Sequence, residues 1–413
     1  MQNKPLLSVA EAKSKILETI SVSKDLFIET INANGYVLAS DIFSQIDLPP
    51  FHNSSMDGYA VRAVDIQHAD STNCVRLKVI EDIPAGYHPH KKIEKNQASR
   101  IMTGAELPVG ADAVVPVEFT NYADKYALVE LPTEIEIFKK VNPGDHVRPK
   151  GQDIQKGTKI FSKGHFLRPQ DLGLISGVGI AKIAVYGKPR IALISSGDEI
   201  VPAGQPLAAG QIYDINSISI QTLLNSFGAD VVNLGVAKDT RKSVDELLKK
   251  AVSMDIDLII STAGVSVGVF DHIRDAIIEN GNINFWRVNI RPGKPLVYGN
   301  YQSIPFFGVP GNPVSAFIIS LIFLKPVISK MIGLTTSDPH YQQALLQESI
   351  ESDGRESYLR GIVEKQGSTY TAKLTGHQGS GNIFSLVSAN ALLVIPPGVK
   401  SLPKGSQVNF IAL

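Results

Sequence analysis

Asp257-Leu258-Ile259-Ile260-Ser261-Thr262-Ala263-Gly264-Val265-Ser266-Val267-Gly268-Val269-Phe270-Asp271 is the stretch whose reading decides the fold. Its first residues form an apolar run short and β-branched enough for a buried strand. Asp271-His272-Ile273-Arg274-Asp275-Ala276-Ile277-Ile278 then reads as a helix. The glycines therefore fall on a strand-to-helix turn, where free backbone N–H groups and the positive end of a helix receive an anion. Two chemistries compete for Gly264, Ser266 and Gly268. They formally fit G-x-S-x-G, the nucleophile elbow of serine hydrolases, or they cradle a phosphate with their backbone.

Moving outward, strands and helices alternate. Arg190–Ser195 is a predicted strand, Ile212–Phe227 a helix, Val231–Val236 a strand and Val244–Val252 a helix. Downstream, Phe285–Val288, Leu296–Tyr298 and Phe306–Val309 are strands, and a long helix follows Pro310-Gly311-Asn312-Pro313. Such alternation predicts a parallel sheet with helices on both faces and a ligand at the carboxyl ends of its strands. Three of those ends are rich in glycine and polar residues: Ser195-Ser196-Gly197-Asp198-Glu199, the opening stretch, and Pro310-Gly311-Asn312-Pro313. Asn312 suits a helix N-cap and Pro313 the first helical position. Any one of these turns is explained by capping alone; three converging on one sheet edge indicate a binding site.

Charge sharpens that expectation. Arg287, Arg291 and Lys294 surround the turn Arg291-Pro292-Gly293-Lys294-Pro295 and suit a phosphate. Glu199 and Asp271 belong to the same edge, and carboxylates repel a phosphate unless a divalent cation lies between them. A hard-oxygen Mg²⁺ site with those two ligands is therefore expected. No G-x-x-x-x-G-K-[ST] loop is present, which argues against nucleotide hydrolysis of that kind. The hydrolase alternative requires an acid and a histidine after Ser266. His272 is too near in sequence, and His340 and His377 fall outside the alternating block.

On the amino-terminal side, Ser8-Val9-Ala10-Glu11 is a capping box before an amphipathic helix carrying Val9, Ala12, Ile16 and Ile20. Short runs broken by Pro and Gly from Val75 to Val117 predict a β-rich module. Arg168-Pro169-Gln170-Asp171 starts a helix that ends near Gly177 or Gly179. Beyond Gly333 the chain returns to short strands, with Gly376–Asn382 as its most loop-like stretch. A chain of 413 residues exceeds one ordinary core and should divide into two to four domains. Forty basic against forty acidic residues leave no net charge, so neither nucleic acid nor an anionic membrane is an expected partner. The lone Cys74 fits a reducing, cytoplasmic setting, and no signal peptide is expected. The apolar run Ala316–Leu324 is too short to span a bilayer and reads as a buried helix.

Several segments resemble, in order along nearly the whole chain, the motifs of the molybdopterin molybdenumtransferases, the MoeA and gephyrin E-domain family. They are Pro49-Pro50-Phe51 through Met56-Asp57-Gly58-Tyr59-Ala60-Val61-Arg62, Met102-Thr103-Gly104-Ala105, Ser196-Gly197-Asp198-Glu199, the stretch ending at Asp271, Arg291–Pro295 and Pro310–Ser315. The resemblance implies a multidomain α/β protein with added β-rich modules. A helix at 1–26 would pack on the α/β block, 27–48 with 145–177 would form a linking domain, and 49–144 a β-rich domain. The central parallel sheet domain, similar to molybdopterin adenylyltransferase, would occupy 178–332, and a small β domain 333–413. The implied activity takes adenylylated molybdopterin and molybdate, inserts molybdenum and releases AMP with Mg²⁺, in the cleft of a homodimer supplied by an adenylyltransferase partner. By the same resemblance Asp271, Asp57, Glu199 and Thr103 are catalytic, and Asp271 and Glu199 hold the metal. Gly264, Ser266, Gly268, Pro310, Gly311, Asn312, Asp239 and Asp153 bind substrate, while Arg287, Arg291 and Lys294 hold pterin phosphate or molybdate. Ala263 stands where the family usually has glycine, Arg291 where lysine is common and His272 where tyrosine is frequent. Adenylyltransferase activity itself, and a scaffold role without chemistry, are the alternatives beside the hydrolase reading.

Overall fold

The computed structural model describes residues 6–123, 130–262, 272–334 and 340–413. At its centre is a six-stranded sheet ordered Asp230–Ala237, Arg190–Ser196, Leu258–Thr262, Ile304–Val309, Val297–Tyr301 and Gly281–Trp286. The first four strands are parallel, in keeping with the strand–helix alternation. The last two extend the sheet antiparallel. The cause is the connection: only Gln302 and Ser303 separate Val297–Tyr301 from Ile304–Val309, and Gln302 takes φ +53°. So short a link makes a hairpin, whereas a parallel return needs a crossover of a dozen or more residues.

Strand alternation divides the core in two. Ile191, Leu193 and Ile260 face the helix Asn216–Ser226 and the long helix after Asn312. Ala192, Ile194 and Ile259 face the helices Arg241–Val252 and His272–Asn280. Each large aliphatic side chain withdrawn in this way contributes about 1.5–3 kcal/mol. The helix expected from Ile212 begins instead at Asn216, because Ile212–Tyr213 pairs with Ile200–Val201 as a short parallel ribbon. Asp214 then accepts a 2.9 Å hydrogen bond from the Ser217 N–H and starts the helix there.

The long helix runs Pro313–Ile319, widens into a five-residue π-turn at Ser320–Leu324, and continues as Lys325–Met331. Pro326 lacks an N–H for the usual i→i−4 bond, which accounts for the widening. Its 19 residues are long and apolar enough to cross a membrane, but 83% of that window is buried inside the protein. It is a core helix.

The amino-terminal helix Val9–Thr19 carries the capping box, Ser8 Oγ accepting from Glu11 N at 3.2 Å while Glu11 Oε2 accepts from Ser8 N at 2.8 Å. Val9, Ala12 and Ile16 join the α/β core, Lys330 Nζ donates to Leu17 O at 2.6 Å, and Thr19 hydrogen-bonds the Tyr298 hydroxyl. The chain then pairs Asp25–Glu29 with Lys182–Tyr186 around the helix Pro169–Gly177. A five-stranded sheet follows, ordered Ala113–Pro116, Gly58–Val61, Gln97–Ile101, Val75–Ile83 and Glu134–Ile137. The carboxy-terminal β domain closes the molecule. Its strand Glu356–Gln366 pairs in parallel with Ile290–Arg291, fastening it to the basic turn beside the central sheet.

Candidate active site

The carboxyl edge of the central sheet is built from hydroxyls and turns. Ser195 Oγ lies 2.7 Å from Ser217 Oγ and 2.9 Å from Thr262 Oγ1, so two adjacent strands and a helix share one buried network. Ser196 Oγ donates to Asp239 Oδ1 at 3.4 Å, and Asp239 N donates to Asp198 Oδ1 at 3.1 Å. Gly197 holds φ +141°, and a Cβ there would lie 2.5 Å from Glu199 Oε2. Only glycine lets the backbone turn under the Glu199 carboxylate. Glu199 and Asp239 are thus brought to one edge, Glu199 exposed and Asp239 half-buried. At the next strand end, Asn216 Nδ2 donates to Gly311 O at 2.7 Å, joining the Pro310–Asn312 turn to the helix across from it. Asn312 does occupy the N-cap, with Pro313 at the first turn, but its side chain makes no capping bond. Gly264, Ser266, Gly268 and Asp271 lie outside the described residues.

Beside this edge opens a cavity of about 360 Å³ lined by four cations, Arg291, Lys294, Arg355 and Arg360, together with Asn312, Ser315 and Ser380. The parallel pairing of Ile290–Arg291 with Glu356–Ser357 brings the four together. Gly293, at φ +105°, packs on the long helix so closely that a Cβ would meet Ile319 Cγ1 at 2.6 Å. Arg360 is only 1% exposed. Its Nε donates to Ser385 Oγ at 3.1 Å and its Nη2 to Gly379 O at 3.0 Å. Burial, followed by the nearby charge of Arg291, pulls its pKa down to about 10. An anion in the cavity relieves both penalties. Arg355 donates to Asp353 Oδ2 from Nε at 3.0 Å and to Ile290 O from Nη1 at 3.1 Å. Those hydrogen bonds hold the Asp353 carboxyl below the usual carboxylate range. Gln378 clamps the floor, its Oε1 accepting from Arg360 N and its Nε2 donating to Arg360 O, and Ser380 O accepts from Val314 N. The result is a polar pocket whose four cations outnumber the one carboxylate, Asp353, that pairs with Arg291 and Arg355, and whose chemistry suits an oxyanion.

Of the three basic residues expected at this turn, the structure brings Arg291 and Lys294 into the cavity wall, whereas Arg287 stacks its guanidinium on Trp286, 5.0 Å from the ring centre. Arg355, Arg360, Gln378 and Ser380 belong to the cavity and were not foreseen. Arg355 lies just before the strand Glu356–Gln366 and Arg360 within its buried stretch, and only the loop character of Gly376–Asn382 pointed to the last two.

Asp57 and Thr103 are joined within the β-rich module: Asp57 Oδ1 accepts from Thr103 N at 2.8 Å and from Thr103 Oγ1 at 2.7 Å. Asp153 accepts from Arg148 Nη2 at 2.7 Å beyond the same module. Asp57 lies in a bend and Thr103 in a turn, each next to a strand of the five-stranded sheet, and Asp153 lies in a bend after Val147–Arg148; none of them is on a strand of the central sheet. Among the described residues, no group of three His, Cys, Asp or Glu side chains forms a closed metal cage.

Three family models match this chain in succession. Residues 7–179 match the MoeA N-terminal region (domain I and II), residues 192–330 a probable molybdopterin binding domain, and residues 343–413 the MoeA C-terminal region (domain IV). Molybdopterin molybdenumtransferase 2 of Mycobacterium tuberculosis is 35% identical over 408 residues, covering 97% of this chain and 98% of the relative. The molybdopterin molybdenumtransferase of a Nostoc species is 34% identical over 388 residues, covering 92% and 87%. The crystal structure of the molybdopterin biosynthesis MoeA protein from Pyrococcus horikoshii superposes with a TM-score of 0.82 at 34% identity, across 99% of both chains. The chain belongs to the MoeA family of molybdopterin molybdenumtransferases.

Proposed function

We propose that this transferase of molybdenum cofactor biosynthesis takes adenylylated molybdopterin and molybdate, inserts molybdenum at the dithiolene sulfurs and releases AMP. One observation carries the reading: a cationic oxyanion cavity and a hydroxyl-rich sheet edge share the Pro310–Ser315 turn, Asn312 and Ser315 lining the cavity while Gly311 is tied to the edge through Asn216. Molybdate, a tetrahedral dianion, suits Arg291, Lys294, Arg355 and Arg360. The phosphate-bearing pterin suits the strand ends, with Pro310, Gly311, Asn312, Asp239, Gly264, Ser266 and Gly268 as its contacts. Ser266 then acts through its backbone. That division places the oxyanion next to the sulfurs that receive the metal.

Mg²⁺ belongs to the same reading. Glu199 and Asp271 would hold it, and an ion that keeps several waters and binds through one or two carboxylates plus phosphates needs no closed protein cage. The exposed Glu199 carboxylate above Gly197 fits that donor set. When bound, the ion neutralises charge at the phosphoanhydride that breaks as AMP leaves. Asp271 would orient the reacting groups.

Asp57 with Thr103, and Asp153, which lie in bends and turns outside the central sheet, would complete the cleft from a second copy of the chain. The apolar surface of the amino-terminal module supports a homodimer: Phe27 is 76%, Ile31 83% and Phe43 51% exposed. A cytoplasmic setting and delivery of substrate by an adenylyltransferase partner complete the proposal. The test is AMP release from purified protein given adenylylated molybdopterin, Mg²⁺ and molybdate. Release that depends on molybdate and falls in Asp271→Ala supports the reading; no release, or identical release by the variant, sinks it. ATP turnover with unadenylylated molybdopterin would instead indicate adenylyltransferase activity.

A further inference from the structure

Among the described residues, Asp353 is the carboxylate that pairs with cations of the oxyanion cavity, and it does so from behind them. Arg291 and Arg355 line the cavity, whereas Asp353 lies outside its lining, in the loop between Ile350–Glu351 and the strand Glu356–Gln366. Its hold on the two arginines is unequal. Arg355 donates to Asp353 Oδ2 from Nε at 3.0 Å and again from Nη2, and its backbone N–H donates to Asp353 Oδ1 at 3.1 Å. Its Nη1 donates to Ile290 O, so three of the five guanidinium N–H groups are engaged and two remain for a ligand. Arg291 Nη1 lies 3.8 Å from Asp353 Oδ2, too far for a hydrogen bond, so it feels the charge and keeps its donors. The loop is pinned on both sides of the carboxylate: Ser352 N donates to Lys400 O and Gly398 N to Gly354 O, each at 2.8 Å. Asp353 thus faces the arginines as a fixed charge.

We propose that Asp353 is a built-in counter-anion, a positioning residue that sets how loosely the cavity holds a tetrahedral divalent oxyanion. In the empty protein it offsets one of the four cations Arg291, Lys294, Arg355 and Arg360, and an entering dianion binds against its repulsion. This role rests on the reading of the cavity as the molybdate site. Holding the oxyanion more tightly before reaction lowers its KM without hastening its transfer. Asp353 therefore keeps the oxyanion exchangeable. It touches no reacting atom and acts through the two arginines. A carboxylate that merely propped Arg355 in place would do the reverse, since its loss would loosen the wall and weaken binding.

The two roles predict opposite signs, read by calorimetry on the full chain with molybdate and with sulfate as a second tetrahedral dianion. Asp353→Asn keeps the shape and an acceptor for Arg355 but removes the charge, and should bind both oxyanions about tenfold more tightly than wild type. Asp353→Glu restores the charge and should return affinity to within about threefold of wild type. In molybdate-dependent AMP release, Asp353→Asn should lower the KM for molybdate by a similar factor with no rise in kcat. Unchanged or weaker binding by Asp353→Asn overturns the proposal. So does Asp353→Glu binding as tightly as Asp353→Asn, or a wild type that binds neither oxyanion. Thermal melts check that the variants fold. AMP release by wild type is scored separately. If it fails while Asp353→Asn still binds oxyanion more tightly, the proposed reaction falls and the counter-anion stands; if it succeeds without that tightening, only the counter-anion falls.

Discussion

The sheet edge and the cationic cavity are neighbours that handle negative charge by opposite means. Among the described residues, the edge offers hydroxyls, backbone turns and the carboxylates Glu199 and Asp239. The cavity offers guanidinium groups and an ammonium, one of them almost fully buried. The first arrangement suits a large ligand recognised along its length and an intervening metal. The second suits a compact dianion gripped from several sides. On the proposed reading, one segment, Pro310–Ser315, would serve two substrates without either competing for the other's contacts.

The comparison can be broken most severely at Arg360. Arg360→Ala should remove molybdate binding and lower molybdate-dependent AMP release by about 100-fold or more, because a buried charged fork is lost and Gly379 O and Ser385 Oγ lose their donor. Arg360→Lys keeps charge without the fork and should recover only part of the affinity. Titration calorimetry with molybdate measures both. A mixing experiment comes next in size. Asp57→Ala and Asp271→Ala subunits, each inactive alone, should regain about a quarter of wild-type activity when exchanged, if each cleft draws on two copies. No recovery despite subunit exchange would place both residues in one copy's site.

A smaller effect is expected from binding itself. The positive pocket destabilises the empty protein, since Arg360 is buried and faces Arg291. Molybdate at about one hundred times its dissociation constant should stabilise the fold by roughly 2.7 kcal/mol, read as a rise in melting temperature. The sign holds throughout the neutral range, where Arg360 remains charged below its pKa of about 10. The smallest effect is a control distant from both regions. Thr19→Val removes the bond to the Tyr298 hydroxyl, whose pKa burial pushes up, and should cost about 1 kcal/mol in denaturant melts with little change in turnover.

How much could be read from residues alone follows the same division. The edge was legible because strand ends followed by Gly, Ser, Asp and Asn are local signals, and local signals survive without knowledge of packing. Asn312 at the helix start is of this kind. The antiparallel pair was missed because a two-residue hairpin at Gln302–Ser303 lacks the usual Asn-Gly signature. The helix start slipped from Ile212 to Asn216 because the apolar pattern runs through a short strand before Asp214 caps the helix. The cavity was half legible. Arg291 and Lys294 announce themselves in a Pro-Gly turn, but Arg355 and Arg360 arrive through parallel pairing across more than sixty residues of chain. Nothing in a single strand of mixed residues reveals that its arginine points inward. Arg287 stacks on the Trp286 ring and does not line the cavity, a contact that its place beside the turn did not disclose.

The division of labour between the two regions is tested most directly by anomalous diffraction from crystals of the wild-type chain soaked with molybdate. The account predicts a molybdenum peak within hydrogen-bonding reach of Arg291, Lys294 and Arg360, and its loss in Arg360→Ala crystals of the same form. A peak on the strand ends near Glu199 and Asp239, with the cavity empty in a protein that still releases AMP with molybdate, would contradict it.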